Sequence, residues 1–275
     1  MLVSIEGDAK TGKTTFLYTA PLPIVSFSFD MGIERAIHGV KFEEWFKDCK
    51  MQVIPYVADA KPVPAWADYD ITIYELPPPI QLQGIRVVGF AALWDYFIQL
   101  VVAAITDPTV RTIGVDTMTL ARRVRADAFL ESLQVKAERE NKDIRERLTQ
   151  FEWAVPDGDI RNLYATCEGY KKNLVTIHHL TDERTDGIDK DGRIVQGMLT
   201  GKRILEGLKN TDRLVDTGLR FSIKDKQPLA TFVTCGNNLS LEGVSLTSPM
   251  WDTVMQVIED TLGGTIEFER RNHHV

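Results

Sequence analysis

Gly7-Asp8-Ala9-Lys10-Thr11-Gly12-Lys13-Thr14-Thr15, preceded by the apolar run Leu2-Val3-Ser4-Ile5, reads as a strand, a tight glycine loop and the start of a helix. The spacing is G-x-x-x-x-G-K-[ST], a loop that turns its backbone N–H groups around a phosphate while the following helix points its positive end at the same charge. Gly7 and Gly12 permit the turn. Lys13 at this spacing reaches β- and γ-phosphate oxygens, and the Thr14 hydroxyl completes the shell of a Mg²⁺ ion that keeps most of its waters. A bare turn between strand and helix would not need the lysine. The nine residues are therefore expected to bind ATP with Mg²⁺. Lys10 reads as a solvated loop lysine, with contact to the nucleotide or to a neighbouring subunit as the alternative.

Working outward, Ile24-Val25-Ser26-Phe27-Ser28-Phe29 reads as a buried strand that ends in Asp30-Met31-Gly32. In open parallel sheets, ligands bind beyond the carboxyl ends of the strands. Asp30, following a strand expected to pair with that of the glycine loop, is thus a candidate for orienting an attacking water; an N-cap for a helix from Ile33 to about Gly39 is the competing reading. Val110 to Asp116 is a second strand ending in an acid, the Walker B pattern. It is expected beside the glycine-loop strand, with Asp116 holding Mg²⁺ through water. Lys172 to His179 is a strand with a polar tip, which makes His178 or His179 a candidate γ-phosphate sensor. Adjacent histidines on a strand face opposite ways, so one metal shared between them is disfavoured.

The rest of the chain bounds the class. With 275 residues and 44% hydrophobic content it can bury a full core as one domain. Residues 41–90 break the alternation with strand-like pieces at 51–57 and 71–74 between prolines, and read as a β-rich insertion. Helices are expected at 91–105, at 117–150 (one or two), and at 249–262; strands at 213–223 and 229–233; a hairpin turn at Asp189-Lys190-Asp191-Gly192; and a frayed tail at 269–275. A net charge of −7 disfavours indiscriminate binding to a polyanion. The alternating charges of 122–147 read as the solvated face of a helix, a local basic track being the alternative. Cys49, Cys167 and Cys235 lack disulfide or zinc spacing and read as buried free thiols. No apolar run approaches a membrane span, and a cytoplasmic protein is expected.

Gly7–Thr15, the strand ending at Asp30, Thr112-Ile113-Gly114-Val115-Asp116 running into Thr117-Met118-Thr119, and Asn173–His179 together resemble the RecA-like ATPase core. More narrowly, the chain resembles the phage-encoded RecA-like P-loop ATPases that consist of that core alone and often accompany single-strand annealing proteins. The resemblance covers most of the chain outside 41–90 and the tail, and only the glycine loop is specific by itself. It implies an α/β fold with a mostly parallel sheet flanked by helices, Lys13 and Thr14 as phosphate and Mg²⁺ contacts, Asp116 as the Walker B acid, and Asp30 as the carboxylate that activates water. The family usually carries Glu or Asp-Glu there, so a lone Asp puts the hydrolysis rate in question. It further implies a homo-oligomer whose site is completed by a cation from a neighbour, with Lys202, Arg203 or Arg193 as candidates. The implied activity is ATP hydrolysis on DNA in single-strand recombination or annealing, in a bacterial host's cytoplasm, with single-stranded DNA and an annealing or packaging protein as partners. Two other readings stay open: a small-molecule P-loop kinase with 41–90 as its lid, and a nucleotide-gated binding module with little turnover, for example in DNA packaging.

Overall fold

The first strand, β1 (Leu2–Gly7), is buried along its whole length, as expected for an apolar run lying inside a parallel sheet. It leads into α1 (Lys13–Tyr18), β2 (Ile24–Ser28), β3 (Met51–Pro55) and β4 (Ile71–Glu75). Then come α2 (Phe90–Thr106), β5 (Thr112–Asp116), α3 (Met118–Arg139), α4 (Ala154–Gly169) and β6 (Asn173–His178). A hairpin, β7 (Leu180–Ile188) with β8 (Ile194–Leu205), precedes β9 (Thr217–Lys224), β10 (Gln227–Cys235), β11 (Ser245–Thr247) and α5 (Trp251–Leu262). This computed structural model describes residues 1–32, 46–81, 84–188 and 194–262. The helix expected from Ile33, the turn at 189–192, Arg193 and the tail at 269–275 lie outside the described residues.

The fold is mixed α/β: a nine-stranded sheet in the order β11-β10-β9-β1-β6-β5-β2-β4-β3, parallel from β9 to β3, with β10 running against β9 and β11. The β7–β8 hairpin forms a separate antiparallel pair. One sheet face is covered by α2, α3 and α4 around Phe97, Leu100, Ile113 and Tyr164, the other by α1 and α5 around Phe16, Ile5, Phe221 and Trp251. The pieces of 41–90 read as an insertion contribute β3 and β4 to this main sheet, as its parallel edge.

Strand order corrects two expectations. β5 does not sit beside β1, because β6 lies between them, and β2 pairs with β5 and β4 and not with β1. The reason is topological. The chain leaves β5 through α3 and α4, and that crossover returns it to the slot between β5 and β1. Hydrophobic periodicity marks strands and is silent on which strand they neighbour.

Helix ends also moved. The charged stretch expected to stay helical to 150 ends at Arg139, where Asn141 adopts a positive φ of 53°. Four of its cations are paired with acids. Arg122 and Arg125 tie α3 to Asp157 and Asp159 of α4, while Lys142 and Arg145 meet Glu140 and Glu152. From the same helix, Glu131 accepts from the Gly89 and Ala91 N–H groups and so satisfies the open N-terminus of α2. Cys167 and Cys235 are buried and free, whereas Cys49 is only half-buried.

Candidate nucleotide site

At the carboxyl ends of β1, β5 and β2 lies a cleft of about 540 Å³ lined by residues 9–15, Asp30, Gly32, Asp116, Thr117, His179 and Pro228. A cleft of that size suits a small-molecule ligand. The loop reaches its shape through two glycines. Gly7 has φ 155° with a would-be Cβ 2.4 Å from the Phe221 carbonyl, and Gly12, left-handed at φ 92°, is the N-cap of α1. Lys10 also takes a positive φ and is exposed, in keeping with a loop lysine.

The Lys13 ammonium is folded back into the loop, donating to the carbonyls of Gly7 at 2.9 Å and Asp8 at 2.5 Å. Burial pulls its pKa below the ordinary lysine value, and the carboxylates of Asp116, Asp8 and Asp30 oppose that shift. The Thr14 hydroxyl donates to Asp116 Oδ2 at 2.6 Å. One strand, β6, separates β5 and its terminal Asp116 from β1, so this contact depends on α1 leaning across the sheet. Asp116 is level with Ile177, which in turn is level with Ile5. Gly114 is what lets the helix down: a Cβ there would stand 2.7 Å from the Leu17 methyls. Burial first, then the nearby Asp30 charge, push the Asp116 carboxyl up to about 7.

Asp30 reaches the cleft rim, exposed, its Oδ1 accepting from the Gly32 N–H at 2.9 Å. Of the two histidines, the structure brings His179 to the cleft. His178 faces the opposite side, wholly buried beside Tyr164 and Thr176, and burial holds its imidazole down at about 3 and hence neutral. The two side chains thus lie on opposite sides, as alternation along an extended chain requires, and of the two His179 is the one that lines the cleft. Arg203 on β8 does not point away toward a neighbour: it donates to Asp8 Oδ1 of its own loop at 2.7 Å and to the Leu180 carbonyl at 3.0 Å. Lys202 next to it is exposed.

Pro228 is a lining residue with no sequence signal. It arrives from β10, more than two hundred residues after the loop, and its ring would stand 3.2 Å from a Cβ at Gly12. Only the strand order β10-β9-β1 could have announced it.

The donor set fits a triphosphate with a hard divalent cation. One hydroxyl and one carboxylate converge beside a lysine and a glycine loop, with no soft ligand nearby. Among the described residues, no cluster of three or more His, Cys, Asp or Glu side chains offers an all-protein metal cage. A cation here would be shared between Thr14, Asp116 through water, and the nucleotide.

No protein-family model matches the sequence, and no curated protein does. Among solved structures the chain is similar to one titled "Crystal structure of the RadB recombinase", with a TM-score of 0.45 and 12% sequence identity over 90% of this chain and 85% of that one. Likeness at that level says nothing about activity or about partners.

Proposed function

We propose that the protein binds ATP with Mg²⁺ in the cleft at residues 7–15 and hydrolyses it, as a RecA-like ATPase acting on DNA. The observation that carries this reading is the convergence of Lys13, Thr14 and Asp116: the lysine and hydroxyl that open α1 meet, at one glycine loop, a carboxylate from the end of β5 about a hundred residues later. Bound Mg²⁺ would neutralise charge on the β- and γ-phosphates. Lys13 would exchange its loop carbonyls for phosphate oxygens, the 7–15 backbone would wrap the phosphates, and Thr14 with Asp116 would hold the cation. Asp30 would orient water for in-line attack, and His179, another residue lining the cleft, would sense the γ-phosphate. Catalysis is then mainly positioning and electrostatics, without a covalent intermediate.

DNA as the substrate surface, a homo-oligomeric state, a phage origin and a cytoplasmic setting rest on the sequence resemblance. Among the described residues no helix is long and apolar enough to cross a membrane. A completing cation from a neighbour is part of the same proposal. Lys202 is the better candidate, because Arg203 already has a partner in its own loop. The exposed Asp30, with a shorter reach than Glu, favours one alternative worth separating: a nucleotide-gated module that turns over slowly.

The test is ADP release by purified protein with Mg²⁺, with and without single-stranded DNA, alongside Lys13→Ala. DNA-stimulated release abolished by the substitution supports the proposal. Tight ATP binding with no release under either condition points to the gated module, and release that needs a small-molecule acceptor points to a kinase.

A further inference from the structure

Behind the Thr14–Asp116 contact, on the α1 side of the sheet, lie four buried oxygens: the Tyr18 and Ser26 hydroxyls, which stand close enough to influence each other by hydrogen bonding but lack a bond of good geometry, and Ser28 Oγ and Asp116 Oδ1, which have no partner among the described residues. Each of these residues is at most 2% exposed. Register places them together. Ser28 is level with Asp116 on the neighbouring strand, and Ser26 is level with Gly114, where a Cβ would stand 3.1 Å from the Ser26 hydroxyl oxygen. The Tyr18 hydroxyl comes from the last turn of α1, beside Ser26, and its environment includes the Asp116 charge.

Unpaired polar atoms at this depth each cost about 1–3 kcal/mol, and native interiors seldom tolerate several in one place. These four match one another as donors and acceptors. Each of the three hydroxyls can donate one hydrogen bond and accept others, whereas the ionised carboxylate only accepts. A chain of hydroxyls running from Tyr18 through Ser26 and Ser28 therefore has one natural end, Asp116 Oδ1, with enclosed water bridging wherever the oxygens stand too far apart. Oδ2 is already committed to Thr14.

We infer that Ser28, backed by Ser26 and Tyr18, is a positioning residue whose hydroxyl reaches Asp116 Oδ1 through an enclosed water and fixes the plane of that carboxylate toward the cation. The inference rests on the Mg²⁺-nucleotide reading of the cleft and adds to it residues that carry no motif. Partners one shell behind a metal-binding carboxylate commonly change metal affinity without touching the metal. Ser26 and Ser28 also account for two polar positions in the otherwise apolar strand Ile24–Phe29.

The experiment follows binding of a fluorescent ATP analogue as Mg²⁺ is titrated, for wild type, Ser28→Ala, Ser28→Thr and Tyr18→Phe, with thermal unfolding of each measured without ligand. Ser28→Ala is expected to need about ten- to a hundredfold more Mg²⁺ for half-maximal binding. Binding of the analogue without metal stays as in wild type, because Lys13 and the loop amides are untouched. Ser28→Thr, which keeps the hydroxyl, restores the wild-type midpoint to within about threefold, and Tyr18→Phe moves it less than Ser28→Ala in the same direction. Unfolding temperatures close to wild type show that the shift is not loss of fold. Should Ser28→Ala fail to fold, Tyr18→Phe carries the same test. A Ser28→Ala titration that overlays wild type overturns the inference alone. A wild-type protein that binds no nucleotide at any Mg²⁺ concentration overturns the cleft reading, and this inference with it.

Discussion

The two faces of the central sheet treat buried polarity differently. On the face away from the cleft, polar groups pair with one another: Glu6 is paired with Arg220 at 2.5 Å, and the Tyr164 hydroxyl donates to Thr176 beside His178, whose Nδ1 is the exception that lacks a side-chain partner. On the cleft face, Lys13 is held by two backbone carbonyls, and Asp116 carries one oxygen bonded to Thr14 and one unpartnered. Satisfied polar groups stabilise a fold, whereas groups held ready at a cleft raise its energy until something binds. The difference separates structure from site more sharply than residue type does, since both faces contain acids, cations and hydroxyls.

The largest expected effect falls on the cleft face. Lys13→Ala should weaken ATP binding by at least about a hundredfold, roughly the loss of a charge-assisted contact in a desolvated site, while unfolding temperature stays near wild type. Titration calorimetry with thermal melts checks both.

Asp116→Asn should cost about ten- to a hundredfold in Mg²⁺-dependent affinity and yet stabilise the ligand-free protein at high pH. The Asp116 carboxyl titrates at about 7 when folded and at 3.8 ordinarily. Between those values the folded state holds the extra proton, so stability falls as pH rises from about 4 to 7 and stays low above. The gain from Asp116→Asn should therefore be full above pH 7 and vanish below about 4. Urea unfolding at pH 4, 6 and 8 would contradict this if the gain did not grow with pH.

On the opposite face, Arg220→Ala leaves the Glu6 carboxylate with no partner in a mostly buried position. A loss of about 1–2 kcal/mol is expected, with ATP affinity unchanged, the reverse of the Lys13→Ala pattern. His178 supplies an effect confined to the acid side. Folded, it stays neutral down to about 3, whereas the unfolded chain binds a proton near 6.5. Stability from this residue is thus complete above pH 6.5 and is lost as pH falls through that window. His178→Asn should flatten the decline between pH 6.5 and 4 in the same urea series.

The smallest effect belongs to Arg203, whose pair with Asp8 is exposed on both sides. Arg203→Ala should change ATP affinity by less than about threefold, as exposed ion pairs commonly do. A larger loss in binding would give the hairpin a direct part in the nucleotide site.

The glycine loop was legible because its chemistry is local. Seven consecutive residues lining the cleft, 9–15, were all read from one motif. Asp116, Asp30 and His179 were legible as strand tips, since the end of an apolar run marks the end of a strand, and parallel strands bring their tips to one edge. Pairing was not legible. The placement of β6 between β1 and β5, the arrival of Pro228 and the choice of His179 over His178 depend on contacts between segments far apart in sequence. Gly114 looked like one more strand residue, yet its missing side chain lets α1 approach β5. Ser26 and Ser28 gave a similarly weak signal, two hydroxyls in an apolar strand, until the register placed them beside Asp116.

The most direct measurement is equilibrium binding of ATP to the purified protein with and without Mg²⁺, wild type against Lys13→Ala and Asp116→Asn. Saturable binding that tightens with Mg²⁺, is lost in Lys13→Ala and loses its Mg²⁺ dependence in Asp116→Asn is the predicted result. Binding that both variants retain at wild-type strength, or no binding by wild type, would contradict the assignment of the cleft.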